Sequence, residues 1–290
     1  MFVLWLACRP QLSSPGTASA PEASDPPVEP TMSTGATVPG CDVDEIEPNG
    51  FGDPATPLGL DDRGCGTIGE AGDTDHWTVA VDFEGWLSLQ VSAASIGSPA
   101  NLRLVLDGPE GDSDRGSQGV GQSPDPYLLV PAVPGSWTAA LDEESGRGGV
   151  GYAYEVIASE AKEPGIWTAS EVEPNNAVGD AMAVGTGDVI YGELDRLDLD
   201  FFAVEAPPGP GVDLTISAAA YGLGSPGIFE LVAYGEDLET LGRADGGLDG
   251  ALDPSLSLHL EGGATATIQI LEQSAQSGPL YWYLLSVEGP

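Results

Sequence analysis

The sequence predicts an all-β protein: two consecutive antiparallel β-sandwich domains of jelly-roll-like form, following a disordered N-terminal tether. Three observations carry this expectation. Hydrophobic side chains alternate with a period of two rather than 3.6. The chain repeats itself once along its length. Its 41 glycines and 25 prolines favour short strands and turns over long helices.

The repeat sets the architecture. Glu45-Ile46-Glu47-Pro48-Asn49 returns as Glu171-Val172-Glu173-Pro174-Asn175, and Asp73-Thr74-Asp75-His76-Trp77 returns as Asp198-Leu199-Asp200-Phe201-Phe202. Further on, Ser92-Ala93-Ala94 pairs with Ser217-Ala218-Ala219, and Gly97 with Gly222. The first Glu and first Asp are 28 residues apart in one copy and 27 in the other, and the second Asp and its paired Gly are 22 apart in both. The copies are therefore 41–160 and 167–290, joined by a linker at 161–166.

Within each copy the apolar positions alternate, as in Leu87/Leu89/Val91 and Val212/Leu214/Ile216. The same holds for Leu102/Leu104/Leu106, Trp137/Ala139/Leu141, Tyr152/Tyr154/Val156, Leu256/Leu258/Leu260, Ile268/Ile270 and Tyr281/Tyr283/Leu285/Val287. Clusters of Gly, Pro, Asp and Ser separate the runs. That pattern gives about seven or eight strands per copy and no amphipathic helix, which in roughly 120 residues implies a sandwich with one apolar face per sheet.

On E-x-E-P-N near the start, D-x-D with an aromatic pair, and a closing aromatic strand, each copy resembles a bacterial pre-peptidase C-terminal domain. The resemblance covers residues 42–288. It implies a non-catalytic β-sandwich of the kind appended to secreted proteases and collagenases, serving attachment, secretion or stability. Some members bind calcium or collagen. No peptidase domain accompanies the two copies here, which departs from the family's usual setting.

Charge narrows the partners. With 46 acidic side chains against 8 basic ones, the net charge is −38. Such a chain repels phosphate backbones and anionic lipid headgroups, so nucleic acid is excluded and any membrane contact has to come from an anchor. An acidic, lysine-poor composition also suits a salty habitat, where the charge serves solvation rather than a ligand.

The N-terminus suggests such an anchor. Residues 1–8, MFVLWLAC, are apolar but too short to span a bilayer. They resemble the end of a truncated bacterial lipoprotein signal, with Cys8 as the lipidated residue. No Lys or Arg precedes the run, as a start codon placed downstream of the true one would leave it. Residues 9–40 hold 7 Pro, 5 Ser, 4 Thr, 4 Ala and 3 Gly and no aromatic residue, so they read as a disordered tether. In polyproline-like form this segment reaches about 100 Å at ~3.1 Å per residue. Of the remaining cysteines, Cys41 and Cys65 form a disulfide if the protein is exported, or stay as two thiols if it is cytosolic. The expected location is extracytoplasmic: an outer-membrane or cell-surface lipoprotein, otherwise a secreted protein.

The carboxylates carry the chemistry. Asp73, Asp75, Trp77, Val79 and Val81 share one phase of a strand, as do Asp198, Asp200, Phe202 and Val204, so the second Asp of each pair lies on the core side. A carboxylate there needs a partner, and basic partners are scarce. A hard cation such as Ca²⁺, one per domain, satisfies it with oxygen ligands. The resemblance implies Glu45, Glu47, Asn49, Asp73 and Asp75 as ligands in the first copy, and Glu171, Glu173, Asn175, Asp198 and Asp200 in the second. The alternative is that Pro-Asn simply marks a turn and each Asp accepts backbone N–H bonds.

Catalysis finds little support. His259 falls out of phase with its apolar neighbours and is expected at the surface, His76 packed or half-exposed, and no nucleophile elbow, zinc-protease motif or P-loop occurs. Trp282 is out of phase with Tyr281 and Tyr283. It therefore faces either a ligand or a covering loop or domain. The expected function is attachment to an extracellular protein or polysaccharide surface by a monomeric, non-enzymatic chain. A purely structural envelope role, or a hydrolase in an unfamiliar site, are the other readings.

Overall fold

Backbone alternation and dense turn residues yield strands throughout the computed structural model. It describes residues 40–109, 111, the main chain of 113–116, 123–194, 198–246, 253–273, 276–278 and 280–290. Cys8, the segment 1–8 and the tether (bar Gly40) lie outside the described residues.

The first copy folds into β1 (Val43–Asp44), β2 (Thr56–Leu58), β3 (Arg63–Thr67), β4 (Thr74–Val81), β5 (Gly85–Ser92), β6 (Leu102–Asp107), β7 (Ser113–Gly116), β8 (Tyr127–Ala132), β9 (Gly135–Glu143) and β10 (Ala153–Ala161). The second gives β11 (Ala169–Ser170), β12 (Met182–Val184), β13 (Val189–Glu193), β14 (Asp200–Glu205), β15 (Val212–Ala219), β16 (Phe229–Tyr234), β17 (Thr240–Asp245), β18 (Ser255–Leu260), β19 (Thr265–Glu272) and β20 (Trp282–Glu288). These strands form four five-stranded sheets, two per copy: β1-β3-β10-β5-β8 with β2-β4-β9-β6-β7, and β11-β13-β20-β15-β18 with β12-β14-β19-β16-β17. Adding ten to each strand number of the first copy reproduces the second, so the repeat read from sequence is a repeat of topology.

Pairing is antiparallel except at the start of each copy. There β1 runs parallel to β3 and β2 parallel to β4, and β11 and β12 do the same against β13 and β14. The N-terminal segment thus adds one short strand to the edge of one sheet, crosses the open end of the sandwich, and adds another to the facing sheet. That crossing places the E-x-E-P-N residues over the start of β4 or β14.

Each core comes from the inward phases of both sheets. Trp77, Leu87, Leu104, Trp137 and Tyr154 fill the first, and Phe202, Leu231, Ile268, Tyr283 and Leu285 the second. The repeat drifts, however, after the second Asp. Gly97, which closes the 3₁₀ turn Ala94–Ile96 at φ 85°, corresponds to Gly224, which closes Tyr221–Leu223 at φ 100°, and not to Gly222. Asp125 caps the first of these turns and Asp253 the second through backbone N–H groups. The turn from β14 to β15 is longer than that from β4 to β5, and this moves the frame.

The two sandwiches meet face to face. The outward side chains Trp86 and Leu129 of the first pack on Trp282 and Leu284 of the second. Trp86 stands edge-on to Trp282 with ring centroids 5.1 Å apart. Trp282 Nε1 donates to Leu129 O at 2.8 Å, and Leu129 N donates to Gly224 O at 2.8 Å. Edge strand β8 thereby has an outward main-chain pair satisfied by its neighbour, which closes that edge to other strands. A Cβ on Gly224 would meet the Tyr127 ring at 2.5 Å, and its left-handed φ independently disfavours a side chain.

A candidate metal centre in each sandwich

At the end of the first sandwich, Glu45, Glu47 and Asp75 each bring a carboxylate oxygen within 4.8 Å of the others, and in the second Glu171, Glu173 and Asp200 do the same. Local structure explains the convergence. Glu45 leaves β1 with its backbone N–H bonded to Cys65 O at 2.9 Å, and its Oε1 accepts from Thr67 N at 2.9 Å. Glu47 Oε2 accepts from Asn49 N at 2.9 Å, and Glu173 Oε2 from Asn175 N at the same distance. The Glu47–Pro48 and Glu173–Pro174 peptides are both cis. Asp75 and Asp200 project inward from the beginnings of β4 and β14, fully buried.

A tyrosine from the closing strand holds each Asp. Tyr154 Oη donates to Asp75 Oδ2 at 2.7 Å while receiving Trp77 Nε1–H at 2.9 Å. Tyr283 Oη stands 2.5 Å from Asp200 Oδ2 and 2.9 Å from Glu171 Oε2. Facing each tyrosine is a glycine whose absent side chain makes the space: a Cβ on Gly66 would meet Tyr154 Oη at 2.2 Å and Glu45 Oε2 at 2.4 Å, and one on Gly192 would meet Tyr283 Cζ at 2.2 Å.

The donor set is short of positive charge. Burial, then the Asp75 charge, pushes the Glu45 carboxyl up to about 9. Burial pushes Asp75 up to about 7 despite the Tyr154 bond. Burial and then the Glu171 charge take Asp200 up to about 9, and Glu171 is itself raised, chiefly by burial. Both tyrosines are raised well above their usual range, first by burial, so they remain protonated donors.

In the first cluster two oxygens are short of a partner. Asn49 Oδ1 and Asp75 Oδ1 are buried with no hydrogen-bond donor. The Asn175 amide presents one terminal position 3.1 Å from Asp200 Oδ1 and 3.2 Å from Glu173 Oε1. The surrounding acceptors place its NH₂ there, donating to both carboxylates; the opposite orientation would put its carbonyl oxygen beside them as a third oxygen for a cation. In the first copy Thr56 Oγ1 accepts from Asn49 Nδ2 at 3.5 Å, which assigns the amide nitrogen away from that role. Oxygen-only donors, converging and under-neutralised, fit a hard divalent cation.

Of the residues expected from sequence, Glu45, Glu47 and Asp75, and Glu171, Glu173 and Asp200, come together with buried Asn49 and Asn175 beside them. Asp73 and Asp198 stand apart: Asp73 accepts from Gly69 N and Thr74 N at 2.7 and 3.0 Å, and Asp198 from Leu199 N at 2.9 Å. They are turn caps at a strand start, which is the alternative reading of such an Asp. Sequence reasoning missed Tyr154 and Tyr283, and Gly66 and Gly192 beside them. Their coincidence in both repeats is the signal that would have found them.

Trp282 does not face a ligand: it is fully buried because the first sandwich covers its sheet. Cys41 and Cys65 are joined as a disulfide across a separation of 24 residues, as suits an oxidising compartment. His76 Nδ1 bonds Asn49 O at 2.9 Å, and exposed His259 Nδ1 bonds Asp213 at 2.7 Å.

No family model matches the chain, and no curated protein matches it. Among solved structures, it is similar to the pre-peptidase C-terminal domain of a collagenase from Bacillus anthracis, with 20% identity over 37% of this chain and 96% of that one and a TM-score of 0.30. A secreted protein from Eubacterium rectale aligns over 80% of this chain and 77% of its own at 7% identity and a TM-score of 0.28. Tandem CBM51 modules of a family 98 glycoside hydrolase from Streptococcus pneumoniae align over 76% and 81% at 7% identity and a TM-score of 0.25.

Proposed function

We propose that this chain is a non-catalytic, extracytoplasmic attachment protein whose two sandwiches, each stiffened by one calcium ion, bind an extracellular protein or polysaccharide surface. The observation that carries this reading is the twin cluster: two repeats that differ at most surface positions keep the same three carboxylates, the same buried Asn and the same tyrosine. Glu45, Glu47, Asp75 and Asn49 would hold one ion, and Glu171, Glu173, Asp200 and Asn175 the other. Calcium supplies the positive charge that each half-buried oxygen set lacks and ties the crossing N-terminal segment to the strand behind it. Among the described residues the two histidines bond the Asn49 carbonyl and the Asp213 carboxylate through Nδ1. Lipidation at Cys8 with residues 9–40 as the tether would hold the pair of sandwiches, as a monomer, off a bacterial membrane. Each sandwich is proposed as a domain, 41–160 and 167–290.

Depletion of the full chain from solution by insoluble collagen, chitin, cellulose and peptidoglycan, in calcium and in chelator, tests this reading. Retention on one polymer that chelator abolishes supports it. Equal loss to every polymer, or to none, in both buffers would favour a purely structural role on the envelope.

A further inference from the structure

The two clusters differ in what lies behind them. In the second sandwich Gly192 of β13 pairs with Tyr283 of β20 at the cluster, and the flanking pairs are Tyr191 with Leu284 and Glu193 with Trp282. Side chains alternate along a strand, so those flanking residues project from the opposite face of the sheet. That face is the seam with the first sandwich, where Trp282, Leu284 and Tyr191 lie.

Bonds run through the sheet from one side to the other. Glu171 Oε1 accepts from Glu193 N at 2.6 Å, and Tyr191 Oη donates to Glu193 Oε1 at 2.5 Å. The Tyr191 ring stacks on Trp167 at 5.0 Å and stands edge-on to Trp86 of the first sandwich at 6.0 Å. In the first sandwich the corresponding pair is Gly66 with Tyr154, flanked by Cys65 with Glu155 and Thr67 with Ala153. Behind that cluster lie the Cys41–Cys65 disulfide and the Arg63–Glu155 ion pair at 3.7 Å, and β10 reaches the apolar seam only at its far end, through Ala161.

We propose that a cation in the second cluster, and not one in the first, fixes the seam between the two sandwiches. The proposal rests on the calcium reading above. Without a cation, three carboxylates within 4.8 Å repel one another, and the single Tyr283 hydroxyl proton serves two of them. A bound ion draws Glu171, Glu173 and Asp200 together. It thereby fixes the Glu193 N–H on β13 and the Tyr283 hydroxyl on β20, the two strands whose outer faces make the seam. The same ion in the first cluster braces a sheet region already closed by a disulfide. Ion binding at one site thus biases an interface on the other side of the sheet, through contacts that differ between the bound and free states.

Hydrogen exchange of the full chain with calcium chloride alone as the probe reads this out, at the Leu129 amide and the Trp282 indole N–H that cross the seam. Calcium is expected to slow both by about tenfold in the natural protein and in Asp75→Asn, and to leave both unchanged in Asp200→Asn. Glu173 is exposed, so Glu173→Gln gives a second variant of the same cluster should Asp200→Asn fold poorly. Equal slowing in the second-cluster variants would overturn the proposal, as would unchanged exchange in a natural protein that takes up two ions by calorimetry. Calorimetry showing no ion uptake would overturn the calcium reading itself, which is a separate result.

Discussion

Replacing Asp75 by Asn keeps the side chain's shape and removes its charge, which separates two roles that the carboxylate combines. As a buried anion with one oxygen lacking a donor it costs stability, and as a ligand it gives stability when an ion is present. Asp75→Asn and Asp200→Asn are each expected to melt at or above the natural protein's temperature in chelator and to lose part of the rise that calcium brings; calorimetric melting in the two buffers checks this. The same charges predict a pH dependence. Glu45 rises from 4.5 to about 9 on folding and Asp75 from 3.8 to about 7, so the folded state binds more protons. Their contribution is therefore intact below about pH 4 and is lost as pH climbs toward the folded values. In chelator and enough salt to screen the surface, the melting temperature should fall between about pH 5 and pH 8, and calcium should remove the fall. A flat profile in chelator would mean that these carboxyls are not held as described. At this scale the repeated Glu and Asp types were legible because the motif recurs. Tyr154 and Gly66 were not, because on one line of sequence a core tyrosine and a strand glycine look the same whether or not they border a cluster.

At the scale of elements, β13 and β3 depend on a missing side chain. Gly192→Ala places a Cβ against the Tyr283 ring in a packed site and is expected to cost about 1–3 kcal/mol, measured by denaturant unfolding, and to weaken calcium uptake at the second cluster alone. Strand β20 carries the seam on its outer face. Trp282→Ala removes a buried indole and its bond to Leu129 O, and should cost about 3–5 kcal/mol by the same measurement. A Trp282 facing a ligand would tolerate that change with little loss. The period-two runs placed the core strands correctly, since Leu102/Leu104/Leu106 and Leu256/Leu258/Leu260 do point inward. They under-counted strands, because β1, β2, β11 and β12 are two or three residues long and pair in parallel at sheet edges, too short to show a period. The Trp282 phase was legible but its meaning was not: a side chain off the core phase faces outward from its own sheet, and only the neighbouring sandwich decides whether that is solvent. The pairing of Gly97 with Gly222 failed because an unmarked length change in a turn leaves the residue types on either side looking aligned.

For the whole molecule, the excess of carboxylates and the twin clusters make different demands. A general acidic surface is relieved by any salt, so monovalent ions alone should raise stability steadily if repulsion is all there is. Two calcium sites of the kind proposed would instead answer to calcium at concentrations that leave ionic strength unchanged. The seam covers only part of its sheet: Trp86 and Leu129 meet Trp282 and Leu284, while toward the β18 edge of the same outer face the side chains are the polar Ser217–Ser255 and Asp213–His259 pairs. If each sandwich binds a surface as proposed, the seam would hold the two in a fixed relation and so favour avidity on a repetitive surface. Counting calcium ions bound per full chain by titration calorimetry tests the central claim most directly. Two per chain in the natural protein, with one remaining in each of Asp75→Asn and Asp200→Asn, is the predicted result; no uptake, or an uptake that both variants leave at two, would contradict it.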